Sequence, residues 1–86
     1  MMQVQAAAIS LKGMQFVVVL VQMDLVTNPG EGDMAITTME GSFGGVPVVL
    51  MSQREDTSPV YYGDENLVKA LRDIPVAEMP WKEYSI

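Results

Sequence analysis

Cysteine and histidine are both absent from the 86 residues of this chain. Without a thiol or an imidazole, the chain contains neither a Cys-His pair nor a Ser-His-Asp triad, so nucleophilic catalysis of those kinds is excluded. The missing cysteines also exclude disulfide bonds and thiolate-bound zinc or iron–sulfur clusters. These absences favour a non-enzymatic protein without a cofactor, and they fit a reducing compartment such as the cytoplasm.

Basic residues are scarce as well. The chain has five Lys and Arg residues against eleven Asp and Glu residues, which gives a net charge of -6 at pH 7. A negative charge of this size repels the phosphate backbone of nucleic acids and anionic membrane surfaces. We therefore predict that the protein does not bind nucleic acid.

Long hydrophobic segments are also lacking. The longest apolar run, FVVVLV, covers residues 16–21, whereas a membrane-spanning helix needs about 20 apolar residues. The first ten residues lack the basic segment that opens a signal peptide. We expect a cytoplasmic protein that makes no contact with the membrane.

Two apolar runs are the main structural signal in the sequence. No linker, repeat or low-complexity segment divides the chain, so residues 1–86 are treated as a single domain. Residues 16–21 and 47–51 are apolar without polar alternation, a pattern typical of strands buried on both faces of a covered sheet. Both runs are expected to be central strands.

The segment between these runs, residues 27–45, has turn residues at both ends. Ala35, Ile36, Met39 and Phe43 follow helical spacing within it, which predicts a crossover helix. The stretch AITTME is also rich in β-branched residues and alternates, so residues 34–40 could instead form a strand paired with the second run. We favour the helix and keep the strand as the open alternative.

The flanking segments complete the pattern. PVYYG, residues 59–63, predicts a short strand after a polar turn, and Asp64 is placed to cap a helix over residues 64–74 that Pro75 ends. Residues 1–13 are expected to form an edge strand that pairs loosely with residues 16–21. Residues 75–86 contain two prolines and are expected to fold back as an ordered aromatic tail.

These elements predict an α/β (α+β) fold, a small two-layer βαββα unit over residues 16–74. A helical crossover makes the two apolar strands parallel, and the short turn before residue 59 makes the next strand antiparallel. The mixed sheet would then have three to four strands, followed by the ordered C-terminal tail.

The order of features from residue 16 to residue 74 resembles the C-terminal half of a thioredoxin-like fold. The Val46-Pro47 step, the strand of residues 48–51, Gly63 and the helix over residues 64–74 carry this resemblance. It implies a topology and a cis peptide bond before Pro47. The paired cysteines of that family are missing, so no redox residue is carried over. Proline is also expected as the first residue of a strand, without any further role.

Carboxylates are the remaining candidates for catalytic groups. Asp64-Glu65 and Glu55-Asp56 are adjacent acidic pairs, which are more typical of turns and helix caps than of acid–base catalysis. The glycine-rich GSFGG, residues 41–45, precedes a strand and has no nearby lysine, so it does not match a phosphate-binding loop. No catalytic, cofactor-binding or metal-binding residue is predicted.

Four aromatic residues are the candidate partner-binding residues. Tyr61 and Tyr62 are adjacent on a strand and must point to opposite faces of the sheet. Trp81 and Tyr84 lie in the aromatic tail, where they either form a binding patch or close one end of the core. We expect a homodimer that uses a sheet edge or this tail, because a small core and an open edge both favour association.

The leading functional hypothesis is therefore a small acidic protein that acts as a non-enzymatic protein-interaction or regulatory module. The alternative is a small-molecule-binding protein, or a minor enzyme, that uses carboxylates such as Asp64 and Glu65 in a cleft.

Overall fold

The computed structural model describes residues 3–85 and contains one mixed sheet of five strands with helices on both faces. Its strand order is β4-β3-β2-β1-β5. The elements follow in chain order as β1 (Gln3–Leu11), β2 (Met14–Leu20), α1 (Met23–Thr27), α2 (Pro29–Ser42), β3 (Val48–Gln53), β4 (Pro59–Tyr62), α3 (Glu65–Leu71), a 3₁₀ turn (Val76–Glu78) and β5 (Trp81–Ser85).

β1 and β2 form an antiparallel hairpin in which Ile9 lies opposite Phe16. Lys12 and Gly13 connect the strands, and both have positive φ angles, 53° and 79°, as a two-residue hairpin turn requires. The expected pairing of this segment is present, but the prediction of a loose edge strand is wrong. β5 pairs with the other side of β1, so β1 is an interior strand of nine residues.

β2 and β3 are parallel, with Val17 opposite Val48. The chain between them forms α1 and α2, and α2 includes residues 34–40, so the helical interpretation of that segment is confirmed. β4 returns antiparallel to β3, with Leu50 opposite Tyr62. The α+β class predicted from the sequence is confirmed, and the sheet has five strands instead of the three or four expected.

Two hydrophobic clusters lie on opposite faces of the sheet. One cluster joins Val18 and Val49 of the sheet to Leu67 and Leu71 of α3. The other joins neighbouring positions of the same strands to Val26 of α1 and Met39 of α2. Because β2 and β3 are apolar on both sides, each face needs its own helical cover. The layers therefore number three, where the sequence predicted two.

The junction before β3 is a strand entrance. No cis peptide bond occurs among residues 3–85, so the cis bond that the thioredoxin-like resemblance implied before Pro47 is not present. The carbonyl of Pro47 accepts a hydrogen bond of 2.9 Å from the Val17 amide, which begins the pairing between β2 and β3. The proline thus precedes the strand and leaves its ladder intact.

The C-terminal tail forms the fifth strand. α3 ends at Leu71, three residues before the predicted end, and Ile74 donates a backbone hydrogen bond to the Leu71 carbonyl in a turn. The 3₁₀ turn and Pro80 then lead into β5, which pairs with β1 from Gln3 opposite Ser85 onward. Within residues 3–85, no helix is both long enough and apolar enough to cross a bilayer.

Candidate functional site

The four aromatic candidates all lie on the two outer strands of the sheet. Tyr61 and Tyr62 belong to β4, and Trp81 and Tyr84 belong to β5. Tyr61 and Trp81 pack on the α3 side, whereas Tyr62 and Tyr84 pack on the α2 side. The structure therefore does not bring the four together, and it places one pair at each edge of the sheet.

Trp81 is half-buried and is tied to the body of the protein. Its indole N–H donates a hydrogen bond of 2.8 Å to the Val76 carbonyl, and its ring packs against the cluster beneath α3. A tryptophan whose polar N–H is satisfied and whose ring is packed contributes mainly to the core. The side chain fastens β5 and the preceding turn to each other.

Tyr84 fastens the other face of β5. Its ring meets that of Phe43 edge to face, with ring centroids 5.4 Å apart and an interplanar angle of 79°. Such a pair contributes about 0.5–1.5 kcal/mol beyond the area that it buries. Because Phe43 follows directly after α2, this contact anchors β5 to the end of that helix.

Tyr62 joins β4 to the start of α2. Its hydroxyl donates to Asp33 Oδ1 at 2.8 Å and lies 3.3 Å from the Pro29 carbonyl oxygen. The hydrogen bond to Asp33 raises the pKa of the Tyr62 hydroxyl, and burial and the negative charge of Asp33 add to that shift. The Tyr62 ring lies directly over Gly32, so the helix approaches the sheet closely at this point.

The hydroxyl of Tyr61 is buried and has no hydrogen-bond partner among residues 3–85. Burial also raises the pKa of the Tyr61 hydroxyl. A buried polar group without a partner costs about 1–3 kcal/mol in general. This side chain is therefore a weak point in the packing of β4 against α3.

The outer backbone of β5 is open. The Trp81 amide donates a hydrogen bond of 2.9 Å to the Met79 carbonyl and forms none with β1. Successive residues of an antiparallel strand direct their N–H groups alternately to either side. The amides of Glu83 and Ser85 therefore face away from β1, where the sheet has no further strand among the described residues. The side chains of Lys82 and Glu83 are exposed on this edge.

A cleft of about 540 Å³ lies beside β4, at the other edge of the sheet. Its walls come from β4, from the C-terminal end of α3 and from the residues that follow α3. Arg54 and Arg72 line it together with Asp73, and the rest of the lining is Pro59, Val60, Tyr61, Val68, Leu71, Ile74, Pro75 and Val76. A smaller neighbouring cleft of about 360 Å³ includes Lys69, Glu65 and again Arg72.

Asp64 and Glu65, the carboxylates that the sequence suggested for a cleft, do not lie together in one cleft. Asp64 Oδ1 accepts hydrogen bonds from the amides of Asn66 at 2.9 Å and Leu67 at 3.3 Å, so Asp64 is the N-cap of α3, whereas Glu65 lines the smaller cleft. Within residues 3–85, no group of three or more Asp and Glu residues is arranged to hold a metal ion. The charged side chains that line the larger cleft are Arg54, Arg72 and Asp73, so positive charge predominates there.

No family model, no curated protein and no solved structure matches this chain.

The sequence predicted the four aromatic residues as binding candidates but did not predict the cleft. Arg54 and Arg72 are 18 residues apart and belong to a turn and a helix end. Their meeting depends on the packing of α3 on the sheet, which no local pattern encodes. The one available signal is that these two residues are the chain's only arginines.

Proposed function

We propose that this protein is a small non-enzymatic interaction module, and that it binds an extended segment of a partner protein along the free edge of β5. The observation that supports this proposal is the open row of backbone groups on β5, with the amides of Glu83 and Ser85 directed outward. A partner strand can add to such an edge through main-chain hydrogen bonds. Trp81 and Tyr84 support the site by holding β5 in place from both faces.

Charge indicates what kind of segment fits. The protein carries a net charge of -6, which favours a partner segment that is basic overall. On the edge itself, Lys82 favours an acidic residue opposite it and Glu83 favours a basic one. The proposed occupant is therefore an extended, net-positive segment in which at least one acidic residue faces Lys82.

The same charges disfavour the two registers in which β5 would pair with a second copy of itself about Lys82 or Glu83. Two identical antiparallel strands are related by a two-fold axis perpendicular to the sheet, so the residue at the axis lies opposite its own copy. An axis at Glu83 would oppose two carboxylates, and an axis at Lys82 would oppose two ammonium groups. Like charges directly opposite each other are destabilising, and charged residues on an edge strand commonly prevent such self-pairing.

The homodimer predicted from the sequence is retained as part of this proposal, with β4 as its edge. A two-fold axis at Val60 or Tyr61 would oppose half-buried, largely apolar side chains. Sedimentation velocity at tens of micromolar should then show a dimer that Val60→Lys dissociates. A compact monomer at that concentration would remove the homodimer and leave the β5 site untouched.

The strand-addition site is tested by site-specific photo-crosslinking in cells that express the protein naturally. A photoreactive residue at position 83 should capture a partner, whereas the same residue at Thr37, on the exposed face of α2, should not. Glu83→Pro removes the outward N–H and should abolish capture at Ser85, while Glu83→Ala keeps the N–H and should preserve it. Equal capture with Glu83→Pro and Glu83→Ala, both folded, would refute strand addition.

The resemblance to half of a thioredoxin-like fold stays a prediction about topology, and cytoplasmic location likewise stays a prediction. Neither is needed for the proposed function, because strand addition requires only an open edge and a partner segment.

A further inference from the structure

The cleft beside β4 concentrates positive charge in an acidic protein. Only five of the chain's residues are basic, yet both arginines line this cleft and Lys69 lines its smaller neighbour. The opposing charges are Asp73 in the larger cleft and Glu65 in the smaller one. Two guanidinium groups thus share the larger cleft with one carboxylate, against the sign of the whole molecule.

Both guanidinium groups are free to bind. Arg54 and Arg72 are exposed, and neither side chain donates a hydrogen bond to another residue within 3–85. The nearby carboxylate of Asp56 accepts from the Ser58 hydroxyl at 2.6 Å and the Ser58 amide at 3.0 Å, and it interacts with Arg54 through charge without a hydrogen bond. Guanidinium groups bind carboxylate and phosphate oxygens through paired N–H donors.

The remaining surface of the cleft is largely apolar. Val68 of α3 forms one side, and Ile74 and Val76 of the following segment form another. A volume of about 540 Å³ is within the range of small-molecule sites in proteins. A ligand that fills this space would present an apolar body to these side chains and an anionic group to the arginines.

We propose that the cleft between β4 and the C-terminal end of α3 binds a small organic anion, whose carboxylate or phosphate group is held by Arg54 and Arg72 and whose apolar body contacts Val68 and Val76. This site is separate from the β5 edge, which lies on the opposite side of the sheet. Failure of one of these two proposals therefore leaves the other in place. The β4 homodimer, in contrast, would share Val60 and Tyr61 with the cleft.

The test is an NMR titration of protein that carries isotope-labelled methyl groups. Four probes are added, each below its aggregation concentration: octanoate, octyl phosphate, octanol and inorganic phosphate. The methyl signals of Val68 and Val76 report on the cleft. Fluorescence of Trp81, the only tryptophan, gives a second signal because its indole bonds the Val76 carbonyl. Octanoate or octyl phosphate should shift both signals at lower concentration than octanol, and the stronger of these two anions identifies the preferred group.

Three charge-neutralising variants decide the role of the arginines. Arg54→Gln and Arg72→Gln should each weaken binding of the preferred anion roughly tenfold, the lower end expected for a hydrogen bond between charged groups. Lys12→Gln, in the β1–β2 turn at the other end of the sheet, removes the same charge and should change affinity by less than about twofold, because salt screens distant charges. Equal binding of octanol and the anions, equal losses in all three variants, or no shift at Val68 and Val76 would each overturn the proposal.

Discussion

Gly32→Ala should destabilise the protein, although alanine is the better helix former. Gly32 is buried in α2, and a Cβ atom there would lie 2.7 Å from the Leu25 carbonyl oxygen and 2.8 Å from the Tyr62 ring. Neither neighbour moves easily, because the first is backbone and the second is held by its hydroxyl contact with Asp33. Overpacking of this kind costs about 1–3 kcal/mol after the structure relaxes.

Gly41→Ala is the matched control in the same helix. A Cβ atom at Gly41 meets nothing within 4 Å, so this variant should gain about 0.5–1 kcal/mol from helix propensity and reduced freedom of the unfolded chain. Both substitutions gain this contribution, so the free energies of unfolding of the two variants should differ by the overpacking cost alone, roughly 1–3 kcal/mol. Guanidinium chloride unfolding, followed by circular dichroism, measures that difference. Equal stabilisation by both substitutions would refute the close packing of α2 on β4.

Two further predictions concern single polar groups. Tyr61→Phe removes a buried hydroxyl that has no partner among residues 3–85. Thermal unfolding should show that the stability is unchanged or raised by up to about 1 kcal/mol. A clear loss of stability would mean that the hydroxyl forms a hydrogen bond in solution. Hydrogen bonds from the side chain and backbone of Ser58, and to a smaller extent the charge of Arg54, lower the pKa of Asp56 below 3.8. The stability that this carboxylate provides is present above its unfolded-state pKa and is lost as pH falls through its lower folded-state pKa. The chemical shift of the Ser58 amide should therefore change over that acidic pH range in the wild type and stay constant in Asp56→Asn.

The parts of the fold that the sequence predicted are those with local patterns. The apolar runs of β2 and β3 indicated two central strands, and the helical spacing of Ala35, Ile36 and Met39 indicated the crossover helix. All three of these helix residues do pack in the cluster on that face of the sheet. Patterns of this kind are readable because a few neighbouring residues determine them.

The parts that were missed depend on distant pairing. β5 contains the charged pair Lys82 and Glu83 at its centre and follows a proline, so its sequence resembles a tail. It becomes a strand because it pairs with β1, and Gln5 and Glu83 in that pairing are 78 residues apart. The same limitation hid the interior position of β1 and the cleft shared by Arg54 and Arg72. Neither feature leaves a signal within one segment.

Amide hydrogen exchange of β5 tests the proposed open edge most directly. In the free protein, the amides of Glu83 and Ser85 should exchange much faster than those of Lys82 and Tyr84, which face β1. On binding the captured partner, Glu83 and Ser85 should become protected. Slow exchange at Glu83 and Ser85 in the free monomer, or no protection in the complex, would contradict strand addition at β5.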